Sequence, residues 1–175
     1  MGFIGRNGAG KSTTLKALLG LVHPDAGEVT VLGKSFREEE RYIKERIGVV
    51  LGGIDFYPKK KVRLLSDVTR RHYLDLFGID QEKRVDQLST GMRVKYMIAL
   101  ALSHDARLLI LDEPTSGLDP VSRNELTELL RRIAADGQRS VLFSTHITSD
   151  LEKCASHITF IKDGTIQHTG TLADF

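Results

Sequence analysis

Nine residues, Gly5-Arg6-Asn7-Gly8-Ala9-Gly10-Lys11-Ser12-Thr13, constrain this chain more than any other stretch. They fit the phosphate-binding pattern G-x-x-x-x-G-K-[ST], with Gly5, Gly10, Lys11 and Ser12 at its fixed places. Glycine lets the backbone bend so that successive N–H groups point inward, forming a concave nest for phosphate oxygens. A helix starting near Lys11 adds the positive end of its dipole to the same anion. Lys11 can reach the β- and γ-phosphates as a point charge, and the Ser12 hydroxyl can ligate Mg²⁺. A glycine-rich turn followed by a chance Lys-Ser is the bland alternative. Context argues against it, because apolar Phe3-Ile4 precedes the loop and a helical pattern of Leu15, Leu18, Leu19 and Val22 follows.

With 175 residues the chain is one domain by length and can bury a real core. Its 41% apolar and 27% charged content is that of an ordinary globular protein, and a net charge of +2 says little about partners. The longest apolar run, Tyr96 to Leu102, is seven residues, far short of a membrane span. The phosphate loop occupies the N-terminus, so no secretory signal is expected there. One cysteine, Cys154, excludes an internal disulfide framework and suits a reducing compartment, with core packing as its expected role. No Cys and His cluster at metal-ligand spacing. These features predict a soluble cytoplasmic domain.

Strand and helix patterns alternate, which predicts an α/β architecture with a mostly parallel core sheet. After the first helix, His23 to Gly27 reads as a turn, Glu28 to Leu32 as a short strand, and Gly33-Lys34 as its turn. Glu38 to Arg46 reads as a charged helix with Glu38, Arg41, Glu45 and Arg46 solvated, and Ile47 to Leu51 as a buried strand. A loop (Ile54 to Pro58) leads to a basic segment with Lys59, Lys60, Lys61, Arg63, Arg70 and Arg71 against one acid, Asp67. That segment is either a solvated helical face or a surface drawn to anionic lipid or a membrane partner. Nothing there resembles a nucleic-acid recognition module, so no nucleic-acid partner is expected. Ser66 to Phe77 reads as a helix with Val68, His72 and Leu76 on one stripe, ended by Gly78.

Leu88 to Met92 opens a strong helix from about Thr90 to His104. The continuous apolar run Leu108 to Leu111 suits a strand buried on both faces. Val121 to Ala135 is amphipathic, with Leu126, Leu129, Leu130 and Ile133 on its apolar stripe and Asp136-Gly137 as its stop. Ser140 to Ser144 reads as a strand with Thr145-His146 at its end, and Asp150 to Ala155 as a short helix. Ile158 to Ile161 and Thr165 to Gln167 read as a hairpin turned by Lys162-Asp163-Gly164.

An apolar strand followed by Asp112-Glu113 is what a phosphate-loop nucleoside triphosphatase needs beside that loop. One carboxylate helps hold hydrated Mg²⁺, and the next points at the attacking water. Gly5–Thr13, Leu88–Met92, Leu111–Pro114, Ser116–Asp119 and Ser144–His146 occur in that order. On these motifs the chain resembles the ATP-binding subunit of an ABC (ATP-binding cassette) transporter, most closely bacterial subunits serving export-type permeases. The resemblance covers essentially the whole chain, and the LS-x-G signature 23 residues before Asp112 is its most specific part.

The resemblance implies a phosphate-loop fold: core residues 1–51 and 105–175, with a small helical subdomain, 52–104, carrying the signature. ATP would lie on Asn7, Gly8, Ala9, Gly10, Lys11, Ser12 and Thr13, with Mg²⁺ at Ser12 and Asp112. Glu113 would act as general base, and His146 would contact the γ-phosphate and hold base and water in position. Ser89 and Gly91 would reach across a head-to-tail dimer to the ATP of the other subunit. Asp119 would face that subunit, although its place before Pro120 equally fits a helix N-cap. A homodimer or heterodimer would clasp two MgATP and drive a separate integral membrane permease from the inner face of the membrane.

Three departures stand out. The signature reads LSTGM, with Thr90 adding bulk where a second glycine is usual. The place of a glutamine that reaches Mg²⁺ or the attacking water falls on Gly52, followed by Gly53, with Asp55 the nearest polar candidate. Ile54, Phe56, Tyr57 and the basic segment are the expected permease contacts. Met1 stands four residues before Gly5, so two strands and an adenine-stacking aromatic of the family are not in this sequence, and an exposed sheet edge is expected. The leading function is an ATP-hydrolysing transport motor. The alternative is a nucleotide-binding dimerisation module with little or no hydrolysis.

Overall fold

The computed structural model describes residues 1–51, 68–135 and 137–175, with the backbone alone for 68–71. Eight strands and six α-helices follow in chain order among these residues: β1 (Gly2–Ile4), α1 (Lys11–Leu18), β2 (Thr30–Val31), β3 (Lys34–Ser35), α2 (Glu40–Lys44), β4 (Ile47–Val50), α3 (Val68–Leu76), α4 (Thr90–Leu102), β5 (Leu108–Leu111), α5 (Pro120–Ala135), β6 (Ser140–Thr145), α6 (Thr148–Cys154), β7 (His157–Lys162) and β8 (Thr165–Thr171). Gly52, Gly53, the loop Ile54–Pro58, the lysines 59–61, Arg63, Asp67 and Asp136 lie outside the described residues, as do the side chains of Val68, Arg70 and Arg71.

Six strands form one sheet in the order β4-β5-β6-β1-β7-β8, parallel except for the β7–β8 hairpin. The predicted mostly parallel α/β sheet is thus present. β5 shows how a wholly apolar strand serves two layers. Side chains alternate across a strand, so Leu109 and Leu111 join the cluster of α4, α5 and α6 residues. Ile110 joins the opposite cluster with Leu15 of α1 and Ile43 of α2. Burial on both faces explains the absence of polar alternation. The predicted stripe of α5 also packs as expected, with Leu126, Leu129 and Leu130 buried and Ile133 against the same core.

Several local expectations are corrected. Two members of the stripe assigned to α3 face outward: His72 is exposed and Leu76 is 56% exposed, whereas Leu74 and Phe77 are buried. Tyr73 packs edge-on against His72 and beside Phe77. The strand expected over Glu28–Leu32 contracts to Thr30–Val31, and its turn is Leu32-Gly33, one residue earlier than expected. Both turn residues have positive φ, 53° and 73°, which a two-residue hairpin turn requires for its twist to match the strands. The first helix ends at Leu18 and the signature helix at Leu102. Arg46, expected on a solvated face, is half-buried with its guanidinium 3.9 Å from the centre of the Tyr42 ring. β1 lies inside the sheet, and among the described residues β4 and β8 are its edge strands.

Candidate functional site

In parallel sheets, ligands gather beyond the carboxyl ends of the strands. Three neighbouring strands, β5, β6 and β1, lead at that end into Asp112 and Glu113, His146, and the glycine loop. The glycine loop leaves β1 and runs into α1. Gly8 and Gly10 have φ of 81° and 104°, where an L side chain is strained, and Gly10 caps α1. The Ala9 N–H closes a turn on the Arg6 carbonyl at 3.1 Å, and the Gly164 N–H bonds the Ala9 carbonyl at 3.0 Å, pinning the loop to the β7–β8 turn. Asn7, Gly8 and Thr13 are exposed, and Ser12 is half-buried at the start of α1.

Lys11 is only 5% exposed. Its ammonium donates to the carbonyls of Gly5 (2.8 Å) and Arg6 (3.2 Å) and lies 3.1 Å from Glu113 Oε1. Glu113 Oε2 lies 2.7 Å from Nδ1 of His146, so one carboxylate bridges the loop lysine and the strand-end histidine. Glu113 has a φ of 49°, a left-handed conformation that costs a non-glycine residue about 1–2 kcal/mol. Such strain persists only where neighbours over-determine it.

The neighbour here is Ser144, a buried residue quoted in the sequence motif but given no role. Its hydroxyl donates to Asp112 Oδ1 at 2.6 Å and accepts the Glu113 N–H at 2.9 Å. One side chain on β6 thus orients both acidic residues at the end of β5. Its signal in the sequence was its place beside His146, and only the β5–β6 register, with Leu111 opposite Phe143, aligns it with Asp112.

Ser89, Gly91 and Asp119 form no hydrogen bond or ion pair with this cluster among the described residues. Ser89 is exposed and caps α4, accepting the Met92 N–H at 3.2 Å. Gly91 is buried against α5, where an added Cβ would stand 3.0 Å from Ser122 Cβ. Asp119 caps α5: its Oδ1 accepts the N–H groups of Val121 and Ser122, both at 3.0 Å, with Pro120 in the first helical turn. Hydrogen bonding from Ser122, and then from Val121, holds its carboxyl below the ordinary carboxylate range.

The donor set suits a nucleotide with a hydrated hard cation. Ser12 and Asp112 could supply the hard oxygens that Mg²⁺ prefers, and the loop and the first turn of α1 could supply N–H groups for phosphate. Among the described residues no three His, Cys, Asp or Glu side chains gather as a cage for another metal.

Residues 1–116 match the family described as ABC transporter. The chain belongs to that family. This ABC transporter family member is 35% identical over 176 residues to the bacitracin transport ATP-binding protein BcrA of Bacillus licheniformis, covering 93% of this chain and 58% of that protein. It is 35% identical over 179 residues to the Nod factor export ATP-binding protein I of Burkholderia orbicola (strain AU 1054), covering 93% of this chain and 59% of that one. It therefore spans just under three-fifths of the length of these curated relatives. A solved ATP-binding subunit of an ABC transporter superposes with a TM-score of 0.82 at 28% identity, over 99% of this chain and 78% of that chain. The phosphate-loop α/β fold is that of the ABC ATPase subunits.

Proposed function

We propose that this chain is an ATP-hydrolysing motor subunit that pairs with a second such subunit around two MgATP and drives a separate membrane permease. The observation that carries the reading is the Glu113 carboxylate held between Lys11 and His146. A base so placed is oriented toward the phosphate loop, and Lys11 stands ready to meet phosphate oxygens. Phosphate is taken by the backbone of Asn7, Gly8, Ala9 and Gly10 with Lys11, Ser12 and Thr13. Ser12 and Asp112 would hold Mg²⁺, which would supply charge neutralisation for the phosphates. Glu113 accepts a proton from the attacking water, and His146 keeps that carboxylate aimed.

Ser89 and Gly91 lie at the start of α4, where the Ser89 hydroxyl and the first N–H groups would form a second anion site for the nucleotide of the opposite subunit. Asp119 is offered to the same partner. ATP thereby joins the two subunits and its cleavage releases them, giving two states that a permease can follow. No described helix is long and apolar enough to cross a membrane. In this reading the motor works at the inner face of the membrane through its permease. The leaning toward export is supported by the relatives named for bacitracin transport and Nod factor export.

The test is ATP turnover by the native chain beside Glu113→Gln. A loss of about a hundredfold or more on substitution supports the motor. Equal rates replace it with a nucleotide-binding dimerisation module.

A further inference from the structure

Asp150 is fully buried and has no part in the chemistry above. It sits in the first turn of α6, four residues after His146. Its Oδ2 accepts a 2.6 Å hydrogen bond from the hydroxyl of Thr115, which is equally buried. Its Oδ1 is buried too and has no hydrogen-bond partner among the described residues. A half-satisfied carboxylate among Leu151, Ala155 and their core neighbours works against folding, where an apolar side chain would pack freely. A favourable charge at the start of α6 does not account for it, because an exposed acid would serve the helix dipole equally well.

What Thr115 and Asp150 join is more telling. Thr115 follows Glu113 by two residues, inside two consecutive turns. The Ser116 N–H bonds the Glu113 carbonyl at 3.1 Å, and the Leu118 N–H bonds the Thr115 carbonyl at 3.3 Å. Asp119 then caps α5. On the other side, the Asp150 N–H bonds the Ile147 carbonyl at 3.3 Å, and the Ile147 N–H bonds the buried Thr145 hydroxyl at 3.0 Å. The bond therefore ties together the two segments that leave the adjacent strands β5 and β6. Those segments carry Glu113 and His146, whose 2.7 Å contact exists only if both are placed correctly.

We infer that Asp150 is a positioning residue for hydrolysis. By gripping Thr115 it fixes the loop 113–119 against the segment after β6. The Glu113–His146 alignment and the presentation of Asp119 are then set by one buried bond. This rests on the hydrolytic reading above.

The test uses Thr115→Val, Thr115→Ser and Asp150→Ala in the full chain, with kcat, KM for ATP and melting temperature measured on each. Thr115→Val keeps the shape and removes the donor. It is expected to lower kcat about tenfold while KM stays within about twofold, since the phosphate loop is untouched. Thr115→Ser keeps the hydroxyl and is expected to recover kcat to within about threefold of native. Thr115→Val combined with Asp150→Ala should lose no more than the worse single variant, as for two halves of one interaction. A Thr115→Val protein that melts lower but keeps kcat within about twofold makes the bond merely structural and overturns the inference. Glu113→Gln is run alongside. If it matches the native rate, the hydrolytic reading falls and the positioning role with it. A rate that depends on Glu113 but not on Thr115 sinks the positioning role alone.

Discussion

Lys11 and Glu113 meet across the carboxyl end of the sheet, Nζ 3.1 Å from Oε1, with β6 lying between the strands β1 and β5 that lead to them. The ammonium also holds the Gly5 and Arg6 carbonyls, so one side chain organises the loop and faces the acid. Removing it affects two things at once. Lys11→Ala is expected to abolish detectable MgATP binding by calorimetry. It also leaves the nearly buried Gly5 carbonyl short of a donor, a cost of about 1–3 kcal/mol readable in a denaturant titration. Undiminished MgATP affinity in this variant would contradict the assignment of the loop.

Ser144 gives a sharper prediction, because its hydroxyl serves Asp112 and Glu113 together. Ser144→Ala should raise the Mg²⁺ concentration needed for half-maximal ATP turnover, while nucleotide binding in the presence of a chelator stays unchanged. Ser144→Thr keeps the hydroxyl and should restore the native Mg²⁺ requirement. An unchanged requirement in the alanine variant would mean that Asp112 needs no help from β6.

Gly91 is a matter of space. An alanine Cβ would sit 3.0 Å from Ser122 Cβ and 3.1 Å from its Oγ, a crowding of a few tenths of an ångström. Alanine's better helix propensity, up to about 1 kcal/mol, opposes that crowding. Gly91→Ala should therefore shift stability by less than about 1 kcal/mol, whereas Gly91→Leu should cost about 1–3 kcal/mol through overpacking. Urea unfolding of the two variants reads the difference, and a harmless leucine would show that α4 and α5 are not in close contact.

Burial pushes the Cys154 thiol up to about 11, with the neighbouring Asp150 adding to the shift. The folded state thus holds its proton more tightly than the unfolded chain, so this contribution to stability is complete below about pH 9 and is lost as pH rises toward 11. Iodoacetamide should label native protein at pH 8.5 far more slowly than unfolded protein. Equal labelling rates would place the thiol in solvent.

Much of this was legible in one dimension. The glycine loop, the Leu108–Leu111 strand and the α5 stripe are local patterns whose period or spacing states their role. α3 was misread because its sequence allows competing faces, and only packing selects Leu74 and Phe77 over His72 and Leu76. The Leu32-Gly33 turn was displaced by one residue because leucine rarely takes positive φ, and the strand pairing on both sides imposed it.

The sequence by itself determined which residues can bind phosphate, hold a cation and take a proton, because those capacities belong to side chains and their spacing. Tertiary structure alone decided how they meet. Glu113 reaches Lys11 and His146, and Ser144 and Asp150 take their partners, because β5, β6 and β1 lie side by side in register. Contacts between residues far apart in the chain depend on strand order, which no local pattern encodes.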